Sequence, residues 1–150
     1  MIIREYTDAD CRAAAELFFD TVHTVNAADY TPEQLLAWAP RNMDTEAWAA
    51  SFRDRFCLVA VEDGCLAGFA DIAADGYLDR LYVAASCQRR GVATALCDRL
   101  ERAAGGRVYT FASVTARPFF EKRGYVTLRP NEVIRRGVTL TNFLMEKPCF

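Results

Sequence analysis

The residues best suited to chemistry lie in one run, "QRRGVA", Gln88 to Ala93. The apolar stretch before it, "YLDRLYVA", reads as a strand. The stretch after it carries Ala93, Leu96, Cys97 and Leu100 on one stripe and reads as a helix beginning near Arg89. A helix start has four N–H groups without partners and the positive end of the macrodipole. Gly91 removes the Cβ that would hold a ligand away from the backbone. Ala93 and Thr94 keep the mouth open, and Arg89 and Arg90 add mobile positive charge. Such a junction suits an anion, here a pyrophosphate. It is neither a dinucleotide fingerprint nor a P-loop, because G-x-G-x-x-G and G-K-S/T are absent. Taken alone, a helix start flanked by arginines is more often only solvated charge.

The elements that must hold this junction follow from turn chemistry and periodicity. "MIIREY" is a short strand, and Thr7 with Asp10 is close to a capping box. The next helix places Cys11, Ala14, Ala15, Phe18, Val22 and Val25 on one face. Thr31, Pro32 and Gln34 start a second helix as cap, first residue and box partner. "DTEAWAASFRD" makes another helical piece. Two apolar runs joined by Asp63-Gly64 form a hairpin, and a third strand follows the Asp75-Gly76 turn. The helix after the junction keeps Asp98, Arg99, Glu101 and Arg102 outside and ends at Gly105-Gly106. "RVYTFAS" is a strand and "TARPFFEKR" a short helix stopped by Gly124. Two last strands turn at Arg136-Gly137. The order predicts an α+β domain over residues 1–150, with a mainly antiparallel mixed sheet of about seven strands and helices on both faces. The unit from 77 to 112 should contain a locally parallel pair.

The chain has 150 residues, 52% hydrophobic and 25% charged, with formal net charge −2. That is enough apolar material for one core, and it supplies no long-range pull toward nucleic acid or acidic lipid. The five arginines from Arg80 to Arg102 read mostly as a solvated face. There is no signal-peptide pattern and no run of the ~20 apolar residues that a membrane span needs, so the expectation is a cytoplasmic protein. Cysteines 11, 57, 65, 87, 97 and 149 are scattered without a Cys-x-x-Cys and read as reduced thiols. The single histidine, His23, has no ligand at metal spacing, so no metal is expected.

In their order, "LDRLYV", "QRRGVA", the following helix and strand, and "ARPFFEKRGY" resemble the GNAT acyltransferase superfamily. Its phosphate motif, Gln/Arg-x-x-Gly-x-Gly/Ala, is met at every fixed position by Gln88, Gly91 and Ala93. More narrowly, "ASVTARPFFEKRGY", "RRGVTLTNFLMEK" and "DYTPEQLLAWAP" are similar to a YafP-like bacterial branch. The resemblance covers residues 1 to about 147. It implies acetyl-CoA as donor, lying in a splay between the fourth and fifth strands. The backbones of Leu81, Tyr82 and Val83 would pair with the pantetheine arm, and the N–H groups from Gln88 through Arg89, Arg90, Gly91, Val92 and Ala93 to Thr94 would wrap the pyrophosphate. Ser113 stands where many relatives have an asparagine that touches the arm, and Phe119 and Phe120 would flank the arm or the adenine.

The implied reaction is acetyl transfer to an amine. An alkyl amine, with pKa near ~10.4, must lose a proton before it attacks, and a carboxylate can take it directly or through water. Asp79, at a position where several relatives keep a base and on the face of Leu81 and Val83 by strand alternation, is the candidate. The competing reading is an ion pair with an arginine in a neighbouring strand, or a place on the surface. The Leu81 N–H or a neighbour would hold the oxyanion. Many relatives protonate the leaving thiolate with a tyrosine at the position of Phe120, which has no proton to give. Water, Ser113, Tyr77 or Tyr109 are the substitutes. On the acceptor side, one reading has His23, on a stripe with Phe19 and Asn26, join Tyr30, Trp38 and Asn142 as the wall of a small-molecule amine site; the other, which the sequence favours, makes Trp38 and Phe19 core and His23 a satisfied edge residue. The alternative is a non-catalytic acyl-CoA-sensing module, and the assembly is a monomer or homodimer.

Overall fold

β2 (Phe56–Glu62) and β3 (Cys65–Ile72) are apolar on both faces because both faces are covered. Leu58, Ala60, Ala70 and Ile72 pack against Val92, Leu96, Cys97 and Leu100 of α4 (Val92–Ala104). Cys57, Val59 and Phe69 face the other way, onto Ala14, Leu17, Phe18 and Val22 of α1 (Cys11–Thr24). Gly68 lets α4 lie close: a Cβ there would stand 2.8 Å from the Tyr82 carbonyl and 3.2 Å from a Val92 methyl. The computed structural model describes residues 1–148, so Cys149 lies outside the described residues. Cys11, Cys57, Cys65, Cys87 and Cys97 are free. Among the described residues no helix is long and apolar enough to cross a membrane.

The strands form two antiparallel sheets. One runs in the order β1 (Ile2–Glu5), β2, β3, β4 (Leu78–Val83). The other runs β5 (Val108–Ser113), β7 (Val138–Lys147), β6 (Val126–Arg135). The turns expected at Asp63-Gly64 and Arg136-Gly137 form, with positive φ at all four residues, as in type I′ hairpins. α2 (Pro32–Trp38) and α3 (Thr45–Ala50) lie between α1 and β2 in the chain, and α5 (Arg117–Lys122) follows β5.

The parallel pair expected between β4 and β5 shrinks to a single bridge, Tyr77 with Tyr109. Beyond it the Thr110 hydroxyl, not a backbone N–H, donates to the Leu78 carbonyl at 2.8 Å. The ladder stops there and the strands part.

Three local readings need correction. α4 begins at Val92 rather than near Arg89, because Arg89 and Gly91 both take left-handed conformations. Glu101, expected outside, is buried: Arg123 and Tyr125 each donate to its Oε2 at 2.7 Å. Arg80, expected on a solvated face, is also buried, paired with Asp71. Both exceptions arise because a partner distant in sequence satisfies the charge.

Candidate active site

The loop after β4 shows why α4 starts as it does. Gly91 is its N-cap at φ 82°, and no side chain caps the helix. The first helical bond runs from Ala95 N to Gly91 O at 3.0 Å, leaving the N–H groups of Val92, Ala93 and Thr94 without helical acceptors. Arg89 at φ 61° and Gly91 at φ 82° are left-handed on either side of Arg90, the kind of backbone from which anion nests are built. A Cβ on Gly91 would meet nothing within 4 Å, so the space above it is open. The side chains divide the work. Val92 is buried in the core, Thr94 is exposed, and Arg90 is not mobile but bonded to Glu62 at 2.8 Å. Arg89 has no side-chain partner among the described residues. Gln88 turns inward and donates from Nε2 to Val83 O at 2.7 Å.

The open edge of β4 leads from this nest into the splay. The 2.8 Å bond from Ala84 N to Ala67 O sets the phase of the β3–β4 ladder. Tyr82, opposite Phe69, is then a hydrogen-bonded pair, while Leu81 and Val83 turn their N–H and C=O groups away from β3. Tyr82 is thereby corrected as a backbone contact for an arm in the splay, since its main chain is spent on β3. The Val83 carbonyl accepts from Gln88 and from the Thr21 hydroxyl at 3.3 Å. Both main-chain groups of Leu81 and the Val83 N–H remain open.

Further along β4 the register slips: Asp71 faces Arg80 but Ile72 faces Leu78, leaving Asp79 as the extra residue of a bulge. A side chain holds the bulge. Asp71 accepts the Arg80 backbone N–H through Oδ1 at 2.9 Å and the guanidinium through Oδ2, with Nε at 2.8 Å. Ser51 Oγ takes Nη1 at 2.8 Å, and the guanidinium lies 3.9 Å from the Phe52 ring centroid. Burial pushes the Asp71 carboxyl up, and the Arg80 charge opposes it. Asp79 is thus turned outward. Its Oδ2 accepts from Arg55 Nη1 at 2.7 Å and its Oδ1 from the Tyr77 hydroxyl at 3.1 Å. Burial first, then Asp79, raises the pKa of Tyr77, which stays neutral.

Two clefts meet at Asp79. One, of about 200 Å³, runs along the splay past Leu81, Tyr82, Val83, Gln88, Ala93 and Ser113 to Phe119 and Phe120. The other, of about 110 Å³, is walled by Tyr30, Trp38, Tyr77, Tyr82 and Phe111, with Asn142 on its floor. Asp79, Tyr82, Trp38, Phe111 and Ser113 line both. Tyr30 meets Trp38 edge-on at 5.3 Å, donates to Thr141 O at 2.7 Å and accepts from Val114 N at 3.0 Å.

A family model for the acetyltransferase (GNAT) domain matches residues 26–147. The chain belongs to the GNAT acetyltransferase family. It is 33% identical over 143 residues to the uncharacterised N-acetyltransferase YafP of Escherichia coli (strain K12), covering 95% of this chain and 93% of YafP. A GCN5-related N-acetyltransferase from Rhodopseudomonas palustris superposes with TM-score 0.94 at 34% identity, over 98% of this chain and 94% of that one. The PaiA N-acetyltransferase of Thermoplasma acidophilum, crystallised with coenzyme A, shares the fold, with TM-score 0.74 at 20% identity over 98% of both chains.

Of the residues expected at a GNAT site, the structure brings Asp79, Ser113, Phe119, Tyr30, Trp38 and Asn142 to the two clefts. Phe120 lines the splay as a core ring, packed 5.0 Å from Tyr125. His23 does not join them. Its Nε2 bonds with Ala39 O at 2.8 Å and its ring stacks on Phe19 at 4.2 Å, away from both clefts. Sequence reasoning missed Arg55, Thr21, Phe111 and Arg135. Phe111 was open to discovery by alternation along β5. Nothing in the sequence pairs Arg55 with a residue 24 positions away.

Proposed function

We propose that the chain moves an acetyl group from acetyl-CoA to the amine of a small molecule, acting as one acetyltransferase domain. Asp79 at the meeting point of the two clefts is the observation that carries this reading. Acetyl-CoA lies in the splay, its pyrophosphate in the nest from Gln88 to Thr94 and its arm against the open groups of Leu81 and Val83. The acceptor enters from the aromatic cleft. Asp79, held by Arg55 and Tyr77, takes the amine proton through a water. The amine nitrogen attacks the thioester carbon, the Leu81 N–H stabilises the oxyanion, and collapse breaks the C–S bond. The thiolate takes the second amine proton through the Ser113 hydroxyl, which gives its own hydrogen to the sulfur as it receives that one from the nitrogen. Its Oγ accepts from Ala116 N at 3.0 Å and Asn26 Nδ2 at 3.5 Å, which leaves its own hydrogen free. Tyr109 is committed to Asp75 at 2.7 Å and Tyr77 to Asp79.

The second reading, an acyl-CoA-binding module without transfer, draws on the pairing of Asp79 with Arg55 at 2.7 Å, which gives the carboxylate a structural partner of its own. Asp79→Asn separates the two. Coenzyme A release should fall about 100-fold or more, while calorimetric affinity for acetyl-CoA stays unchanged. Turnover equal to wild type would end the base assignment. Saturable acetyl-CoA binding with no turnover of any amine would leave the binding module.

A further inference from the structure

The acceptor cleft holds one cation that no side chain answers. Asp79 and Arg135 are the charged residues lining it. Arg55 balances Asp79 at 2.7 Å, and Arg135 has no hydrogen-bond or ion-pair partner among the described residues. Alternation along β6 puts Asn131, Val133 and Arg135 on the cleft side. Glu132 and Ile134 fall on the other face, where Ile134 is 70% exposed, so the nearest acidic residue in sequence points away. The hairpin bearing Arg135 is pinned. Arg136 Nη1 donates to Ala37 O at 2.7 Å, and Gln34 Nε2 donates to Thr139 O at 3.0 Å, both tying it to α2. The strand that carries Arg135 is therefore held at the rim of a cleft with aromatic walls, and no side chain among the described residues pairs with its charge.

We infer that the acceptor is a small aromatic amine that also carries a carboxylate, and that Arg135 receives that carboxylate while the amine lies toward Asp79. This rests on the amine-transfer reading above. The guanidinium fork matches a carboxylate with two parallel hydrogen bonds. The rings of Tyr30, Trp38, Tyr77, Tyr82 and Phe111 suit a flat apolar body, and a cleft of about 110 Å³ limits its size. The same positive rim disfavours polyamines.

The test uses the full chain with saturating acetyl-CoA and two matched acceptor pairs: 2-phenylethylamine with phenylalanine, and benzylamine with 4-(aminomethyl)benzoate. The pairs place the carboxylate at different distances from the amine. In at least one pair the carboxylate member should show kcat/KM higher by about tenfold or more, mainly through KM. Arg135→Gln should erase that preference and Arg135→Lys should keep part of it. An acetyl-CoA titration of each variant verifies that the donor site is intact. Equal turnover within both pairs, or a preference that survives Arg135→Gln, overturns the inference and leaves amine transfer standing. No coenzyme A release from any of the four also overturns it. A broader set of amines then decides the parent reading, which survives if any is acetylated and falls if none is.

Discussion

Three helices of this chain start in two different ways. α2 closes its own N-terminus: Thr31 Oγ1 accepts from Gln34 N at 3.2 Å, and Gln34 Oε1 accepts from Thr31 N at 2.9 Å. α3 does the same with Asp44, whose Oδ1 accepts from Glu46 N and Ala47 N, both at 3.1 Å. α4 starts on Gly91, which has no side chain to offer and which, like Arg89 two residues earlier, is left-handed, so the start leaves its N–H groups unsatisfied. On the proposed function, the contrast separates donors that serve the fold from donors kept for a ligand. Where a helix only supports the core, a local side chain completes it. At α4 the proposal leaves the completion to the pyrophosphate.

Breaking that contrast at its open end should have the largest effect. Gly91→Val places a β-branched residue at φ 82° and fills the concavity. Losing one to two charge-assisted hydrogen bonds predicts acetyl-CoA affinity weaker by about 100-fold in calorimetry. Unchanged affinity would mean the nest is only a helix start. The two arginines should differ. Arg89→Ala, removing an unpaired charge, is expected to weaken binding by about fivefold to tenfold, and increasingly so at low salt. Arg90→Ala should fall well short of that, because Arg90 is held by Glu62.

At a closed end the expected outcome reverses. Asp44→Ala should lower unfolding stability by about 1 kcal/mol in denaturant titration and leave acetyl-CoA affinity untouched. A loss of affinity there would erase the distinction between the two kinds of start. The smallest effect lies at the far end of α4. Burial pushes the Glu101 carboxyl up, but hydrogen bonds from Arg123 and Tyr125 and the charges of Arg123 and Lys147 outweigh it and hold the pKa below 4.5. A depressed carboxyl stabilises the fold above its unfolded value and loses that contribution as pH falls through the folded value. Thermal melts of the wild type should therefore decline more steeply with pH below about 4.5 than those of Glu101→Gln.

Local chemistry made much of this protein legible in the sequence. The turns at Asp63-Gly64 and Arg136-Gly137 and the Thr31 cap each depend on residues within four positions, so the chain alone determined them, whereas the left-handed Arg89 moved the start of α4 from its expected place to Val92. The phosphate motif was readable for the same reason, because a nest is built from consecutive backbone groups. The charged pairings were not readable. Arg80 and Glu101 look like surface residues until Asp71, Arg123 and Tyr125 arrive from other elements, and only then is their burial affordable in free energy. Asp79 could be singled out by type and place, but its exit from the strand depends on a bulge held by Asp71, and its partner Arg55 comes from before β2. His23 had both a site reading and a favoured edge reading, and its contacts with Ala39 and Phe19 are those of the edge. The sequence determined the backbone devices, which act over a few residues. The tertiary structure alone decided which charges are answered, because that depends on what the fold brings within hydrogen-bonding distance.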